Sequence, residues 1–139
     1  MKIKSSLLIL LALSLLLSGC QPAQPAALST AQLAGVTANV LQSIDRGDYA
    51  GFTRDFSAAM KAAFTQDQFN QLHDLLHKAS GNYVSQGTAS LSNSQGYAVY
   101  HIVCKYELED VAVTITFKVG GSQVEGLFFD SVNLRKAGK

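Results

Sequence analysis

The chain has 139 residues, with 11 basic and 10 acidic side chains and a formal net charge of +1. This near balance leaves no basic field that could hold nucleic acid. Hydrophobic residues make up 47% of the chain and charged residues 15%, a composition that excludes intrinsic disorder. With only two cysteines, the chain is not a disulfide-stabilised scaffold either.

The N-terminus has the pattern of a bacterial lipoprotein export signal. Lys2 and Lys4 precede an apolar run at residues 7–17, and Ser18-Gly19-Cys20 follows it. Small residues fit the narrow groove of a signal peptidase, and the Cys20 thiol is the nucleophile that would accept a diacylglyceryl group. A transmembrane anchor would need roughly 20 apolar residues, and in an ordinary secretory signal Cys20 would be a chance residue. We therefore predict a signal peptide at residues 1–19 and lipid attachment at Cys20.

Lipid on Cys20 predicts a protein of the cell envelope that is anchored to a membrane and faces away from the cytoplasm. Several acyl chains give stable anchoring where one chain binds only marginally. Residue 21 is Gln and not the Asp that serves as a retention signal in many diderm bacteria, so in a diderm organism we expect the outer membrane. Two prolines and the lack of large apolar side chains make residues 20–27, with the lipidated cysteine, a flexible tether.

The first half of the remaining chain has the apolar spacing of helices. Ser29 with Gln32, and Thr65 with Gln68, have the spacing of capping boxes that begin helices. Gly47 and Gly81 end these two helices. Between them, residues 48–52 and 56–64 predict two shorter helices that begin at Asp48 and Ser57.

The second half alternates with the period of two that is typical of strands. Two rows of apolar residues are predicted to share one face of the sheet: Tyr100, Ile102, Cys104, Tyr106 and Leu108 in one strand, and Val111, Val113, Ile115, Phe117 and Val119 in the next. A two-residue turn at Glu109-Asp110 would place Leu108 opposite Val111. An earlier, weaker strand spans residues 83–92 and turns at residues 93–96, and Gly120-Gly121 begins a further hairpin that brings Val124 and Phe128 to the apolar face.

Helices followed by an antiparallel meander predict an α+β fold, in which N-terminal helices cover one face of a curved sheet of about four strands. One domain is expected at residues 28–135, and residues 136–139 form a C-terminal tail.

The chain also resembles a known family. Over about residues 33–129 the chain is similar to domain of unknown function 3887. The matching pieces are Gly47-Asp48-Tyr49 followed by Phe52 and Phe56-Ser57, then Met60-Lys61-Ala62-Ala63, and the final Val124-Glu125-Gly126-Leu127-Phe128-Phe129. The resemblance implies a cystatin-like or nuclear-transport-factor-like cone, with room for a pocket at its open end. Members of this family look like lipoproteins or modules joined to hydrolases, and they provide no catalytic residue to carry over.

The segment His73-Asp74-Leu75-Leu76-His77 places two histidines one helical turn apart, as in zinc peptidases. Those enzymes have glutamate in place of Asp74 and need a third ligand. The helical projection places both histidines off the apolar stripe, toward the flank and solvent. A surface pair is therefore the favoured interpretation, while a weak metal site and a peptidase remain open alternatives.

Other reactive groups do not converge in the sequence. A separation of three along a strand places His101 and Cys104 on opposite faces, and Cys104 is predicted to be a small buried residue. Glu109 and Asp110 are expected in a turn, and Glu107 and Glu125 are expected to point outward. Gly120-Gly121 leads into a strand and is not a phosphate loop.

The pattern therefore favours a lipid-anchored, non-catalytic binding module with no cofactor. Its expected partners are the membrane, through the lipid on Cys20, and an envelope protein or a small apolar ligand. The rival hypothesis is a small pocket enzyme of the cone type, such as an isomerase, a dehydratase or a hydrolase accessory. In that enzyme Tyr100, Tyr106 or His101 would move a proton. Tyr100, Tyr106, Phe117 and Phe128 are predicted to line the interior, where an aromatic core and a ligand pocket are both possible.

Overall fold

A computed structural model describes residues 28–138. Four helices precede a four-stranded antiparallel sheet, and a fifth helix follows it. The helices are α1 (Thr30–Asp45), α2 (Tyr49–Thr53), α3 (Ala58–Ala63), α4 (Gln66–Ser80) and α5 (Val132–Ala137). The strands are β1 (Tyr83–Ser94), β2 (Tyr97–Tyr106), β3 (Asp110–Lys118) and β4 (Val124–Asp130). No helix within residues 28–138 has the length and apolar character to cross a bilayer.

The helices begin where the sequence predicts them. Ser29 and Thr65 both form complete capping boxes, in which the side chain accepts a backbone N–H and the glutamine three residues later reaches back. The side chains of Asp48 and Ser57 cap the two short helices with a single bond each, from the backbone N–H of Gly51 and of Met60. Gly81, at a φ of +78°, ends α4, because this backbone conformation suits glycine. Helix α5, capped by Ser131, is an element that the sequence analysis did not predict.

The sheet has its strands in chain order, β1-β2-β3-β4, so the predicted α+β meander is confirmed. Gln95 and Gly96 form the two-residue turn between β1 and β2, and both have positive φ. This geometry matches the twist of the two strands that it joins. Gly120 supplies a positive φ in the connection between β3 and β4.

The predicted turn at Glu109-Asp110 is wrong. Tyr106 N–H donates to the Glu109 carbonyl, so the turn lies at Glu107-Leu108, and Cys104, not Leu108, faces Val111. The end of α4 holds this turn, because Leu108 N–H donates to the Ser80 carbonyl. Leu108 is consequently 66% exposed. The register moves by four residues, an even number, and the remaining apolar rows keep their face.

The predicted interior position of Phe128 is also wrong. Thr116 faces Gly126 and Phe117 faces Val124, so Glu125 is an extra residue in a β-bulge. One extra residue reverses the alternation of the strand. Val124 is therefore buried as predicted, but Leu127 and Phe129 are the next residues that pack inward, and Phe128 is 63% exposed on the outer face.

The core lies between the inner face of the sheet and α1, α2 and α4. Phe52 is at the centre of an aromatic cluster, with ring centroids 4.8 Å from Phe56, 5.3 Å from Phe64 and 5.0 Å from Phe69. Tyr100 and Phe117 meet edge to face on the sheet side, 5.8 Å apart. Most of the space between helices and sheet is thus filled by side chains, and the open spaces lie at the sides of this core.

Candidate functional site

One open space is a cleft between α1 and the first two strands, with a volume of about 470 Å³. We call it the α1–sheet cleft. Its lining residues come from the start of α1 and from the facing parts of β1 and β2: Leu28, Thr30, Leu33, Ala34, Thr37, Gln86, Gly87, Thr88, Ala89, Tyr100 and Ile102.

An irregularity in β1 shapes this cleft. Gln86 pairs with Cys104 and Ala89 pairs with Ile102, so two residues of β1 lie opposite one residue of β2. One of them is Gly87, where a β-carbon would come within 2.7 Å of the Val103 carbonyl oxygen. Glycine at this position therefore permits the close approach of backbones that bends β1 beside α1.

Two buried polar atoms of the cleft have no hydrogen-bond partner among the described residues. The Thr37 hydroxyl is one, in a residue that is fully buried on α1. The other is Oε1 of Gln86, whose Nε2 donates to the Ala34 carbonyl over 3.4 Å. This bond fixes the orientation of the amide, because exchanging its two ends would point Oε1 at another oxygen. The wall of the cleft thus contains a hydroxyl and an amide oxygen that are buried without a partner, among mostly apolar side chains.

Tyr100 closes one end of the cleft. Its hydroxyl oxygen accepts a hydrogen bond from the Leu28 N–H over 3.1 Å. Leu28 directly precedes Ser29, the N-cap of α1, so the start of α1 lies at this end of the cleft. Tyr106, the other candidate tyrosine, does not line the cleft; burial raises the pKa of its hydroxyl far above the ordinary range, which keeps it protonated.

A second open space lies on the other side of the molecule, between α4 and β4, and we call it the α4–β4 groove. Its volume is about 520 Å³. Apolar side chains form most of its surface: Phe64, Leu72, Leu75, Leu127, Phe129 and Leu134. Gln68, Gln71 and the ion pair of Asp130 with Arg135 lie at its margins, where Arg135 Nη1 is 2.6 Å from Asp130 Oδ1.

The two histidines of α4 are neighbours, with ring centroids 4.4 Å apart. Each side chain is about one third exposed, so they lie at the flank of the helix rather than fully in solvent. His73 contacts the adjacent Asp74, and Nε2 of His77 is 3.6 Å from Asp45 Oδ1, within ion-pair range but too long for a hydrogen bond. Within residues 28–138, no three His, Cys, Asp or Glu side chains form a set that could hold a metal ion.

The structure places His101 and Cys104 on opposite faces of the sheet, as predicted. Nδ1 of His101 is 3.1 Å from the Thr114 hydroxyl on the exposed outer face, whereas Cys104 is fully buried. Burial raises the pKa of the Cys104 thiol to about 11, with a smaller opposite effect from the Gly87 backbone. A neutral, enclosed thiol is a poor nucleophile.

The acids occupy structural positions. Glu107 is exposed and Glu125 is half-buried, where it accepts a hydrogen bond from the Ser57 hydroxyl. Glu109 has more partners than a turn residue would need, since its carboxylate accepts from the hydroxyls of Ser80 and Ser131. It also accepts from the Asn133 N–H and so joins α4, α5 and the β2–β3 turn.

Of the candidate site residues named from the sequence, Tyr100 lines the α1–sheet cleft and Phe128 lies at the α4–β4 groove. The predicted lipid site at Cys20 lies outside the described residues. Sequence reasoning missed Thr37 and Gln86. A threonine at a core position of a predicted helix was the available signal for Thr37, whereas the pairing of Gln86 depends on the irregular register of β1.

Comparison with known proteins agrees with the resemblance drawn from the motifs. A family model described as a protein of unknown function (DUF3887) matches residues 37–127. The matched range runs from Thr37 in the α1–sheet cleft to Leu127 in the α4–β4 groove. No curated protein matches the chain.

Proposed function

The chain belongs to the DUF3887 family, and from this premise we propose that it is a lipid-anchored, non-catalytic binding module of the cell envelope. Its ligand would be a small amphipathic molecule in the α1–sheet cleft. Because the fold alone does not define a function, the proposal depends on the chemistry of the cleft.

The observation that carries the proposal is the pair of unpartnered polar atoms in the cleft wall. A buried polar group without a hydrogen bond costs about 1–3 kcal/mol. The Thr37 hydroxyl and Gln86 Oε1 both carry such a cost. A ligand with an apolar body, one donor for Gln86 and one group for Thr37 would relieve both costs while it covers Leu33 and Ile102.

The lining of the cleft favours binding over catalysis. Among the described residues that line it, none has a carboxylate, an imidazole or a thiol. Tyr100 is the one ionisable side chain there, and its hydroxyl already accepts the Leu28 N–H. General acid–base chemistry normally pairs such a hydroxyl with a second titratable group.

The position of Leu28 at the cleft suggests the source of the ligand. Eight peptide steps separate Cys20 from Leu28, and a chain of this length spans at most about 28 Å. If Cys20 carries lipid, the α1–sheet cleft lies close to the membrane surface. We therefore propose that the ligand is an apolar or amphipathic molecule of the membrane or its surface.

The proposal can be tested with N-phenyl-1-naphthylamine, an apolar fluorescent probe with one N–H donor. We expect its fluorescence to rise when the protein is added. Ala34→Phe should abolish the rise because it fills the cleft. Ala31→Phe, on the exposed side of α1, is the matched control and should bind like the wild type.

A second variant tests the polar wall. Thr37→Val keeps the shape of the side chain but removes the hydroxyl that has no partner. We expect this variant to be more stable than the wild type by about 1 kcal/mol and still to bind the probe, whose donor uses Gln86. Equal probe binding by the wild type and Ala34→Phe would contradict the proposal, and chemical turnover of a bound ligand would favour the pocket enzyme.

A further inference from the structure

The edge strand β4 has backbone groups that point away from the sheet. At its start these groups are paired, because Val124 N–H donates to the Asp55 carbonyl and the Val124 carbonyl accepts from Ser57 N–H. The segment before α3 thus forms a short parallel bridge to β4 at Phe56. This cover ends at Val124, and the rest of the edge runs along the α4–β4 groove.

The hydrogen bonds of the sheet define which later residues of β4 point outward. Val119 N–H donates to the Gly96 carbonyl at one end of the β2–β3 pairing, and Tyr106 N–H donates to the Glu109 carbonyl at the other. Hydrogen-bonded pairs alternate along an antiparallel ladder. The odd-numbered residues of β3 therefore bond to β2, and the even-numbered residues bond to β4.

Leu127 faces Ile115 and Phe129 faces Val113, both odd-numbered residues. The N–H and C=O groups of Leu127 and Phe129 consequently point out of the sheet, toward the groove. None of these four groups has a hydrogen-bond partner within residues 28–138. They are two donors and two acceptors with the spacing that an added strand requires.

The side chains of residues 126–129 on this edge include no charge and no proline. Natural edge strands are usually protected by charges, proline or strong bulges. Residues 126–129 read Gly-Leu-Phe-Phe and follow the only bulge in β4. The opposite edge strand, β1, is rich in serine and has two irregularities in its register.

We propose that the α4–β4 groove binds an extended, uncharged peptide segment of another protein, which adds to β4 as a fifth strand. The backbone of this segment would pair with Leu127 and Phe129. Its alternate apolar side chains would lie on Leu72, Leu75 and Leu134 on the inner side, and the intervening ones would lie beside Phe128.

The charges of the groove support an uncharged occupant. The two ionic groups at the groove, Asp130 and Arg135, pair with one another at the end of β4. The other lining residues carry no charge. A charged side chain of the peptide would therefore lose water without gaining a partner.

The test uses the folded domain labelled with ¹⁵N and an acetylated, amidated peptide of alternating valine and threonine. We expect amide exchange at Leu127 and Phe129 to slow by about tenfold or more when the peptide is in excess, because new hydrogen bonds protect these groups. Phe128, whose N–H already points to β3, should change little. The matched control is the same peptide with N-methyl groups on its pairing residues, which keeps the side chains but removes the backbone donors.

A pair of exposed variants tests the site on the protein. Phe128→Lys places a charge beside the free edge, and we expect it to weaken peptide binding by about tenfold. Val103→Lys is the matched control. Val103 is 59% exposed on the same outer face, but it lies on β2, which has a neighbouring strand on both sides, so this variant should bind the peptide like the wild type.

Three results would overturn the proposal. Equal affinity for the N-methylated peptide would show a groove for apolar side chains without strand pairing. Concentration-dependent dimers in which the exposed amides of β4 become protected from exchange would show that the edge pairs with a second copy of the chain. If the peptide does not bind at concentrations up to about 1 mM, the affinity of the groove for an added strand is too weak for specific recognition. Because the α1–sheet cleft is separate, probe binding there would distinguish each of these results from a failure of the proposed function.

Discussion

Glu109 shows how one side chain can join elements that are far apart in the sequence. Burial of the carboxylate acts to raise its pKa, but the hydroxyls of Ser131 and Ser80 and the Asn133 N–H together outweigh this effect. The pKa of Glu109 is therefore lower than usual, which means that the ionised form stabilises the fold.

We predict that Glu109→Gln destabilises the protein in a pH-dependent way. A lowered pKa contributes stability that is present above the ordinary glutamate value and is lost as the pH falls through the folded-state pKa. At pH 7 the free energy of unfolding should fall by about 1–2 kcal/mol, because a neutral amide accepts weaker hydrogen bonds and one end of it donates. Below about pH 4 the difference should shrink, as urea unfolding at several pH values would show.

The exposed neighbour provides the control for this prediction. Asp110→Asn should change the free energy of unfolding by less than about 0.5 kcal/mol. An equal loss of stability for Glu109→Gln at pH 3 and pH 7 would contradict an ionic role for Glu109.

At the level of single residues, the sequence predicted burial well and specific partners poorly. Alternation was enough to place Cys104 and Phe117 in the core. It could not identify the partners of Glu109, because they come from α4 and from the unpredicted α5. Phe128 was misplaced for a related reason, since the bulge at Glu125 depends on the pairing of two strands and has no local signal.

The structural elements themselves were more predictable, because their ends depend on local chemistry. The capping boxes that begin α1 and α4 each join two residues only three positions apart, so the sequence alone shows where these helices start. The β2–β3 turn moved because its position depends on contacts with α4 that are distant in sequence. A local pattern can thus fix an element, while its register depends on the rest of the fold.

The β1–β2 turn provides a prediction at this scale. Gln95 has a φ of +50°, a conformation that costs most non-glycine residues about 1 kcal/mol but suits asparagine better. Gln95→Asn should therefore raise the free energy of unfolding by about 0.5 kcal/mol, because Asn-Gly is the favoured sequence for such turns. Thermal or chemical unfolding would measure the change.

Gly96 provides the opposite test. Its φ is +85°, and a β-carbon there would meet no atom within 4 Å. Gly96→Ala should thus lose about 1 kcal/mol from backbone strain alone. If Gln95→Asn lowers stability, or Gly96→Ala leaves it unchanged, the turn does not have this geometry in solution.

For the whole molecule, the fold class followed from the order of helices and strands, whereas the open spaces did not. Apolar periodicity shows which residues turn inward but gives no measure of how fully they occupy the space between helices and sheet. The α1–sheet cleft exists because β1 bends at Gly87, which is a consequence of pairing with β2.

The proposed attachment to a membrane through lipid on Cys20 concerns the whole molecule and can be tested directly. In a bacterium supplied with labelled fatty acid, the wild type should carry label and sediment with membranes. Cys20→Ser should lose both properties, because no other residue there provides a thiol for the lipid. Cys104→Ala changes the other cysteine and should keep the label. Label on Cys20→Ser would contradict the lipoprotein prediction.

The sheet order β1-β2-β3-β4 has a consequence for how the molecule is built. Each strand pairs with its predecessor in the chain, so every pairing closes a short loop at a small entropic cost. As the polypeptide emerges from the ribosome, the sheet can grow by one strand at a time without reopening an earlier pairing. The strand that is synthesised last is also the one at the growing end, so β4 completes the sheet as the edge opposite β1.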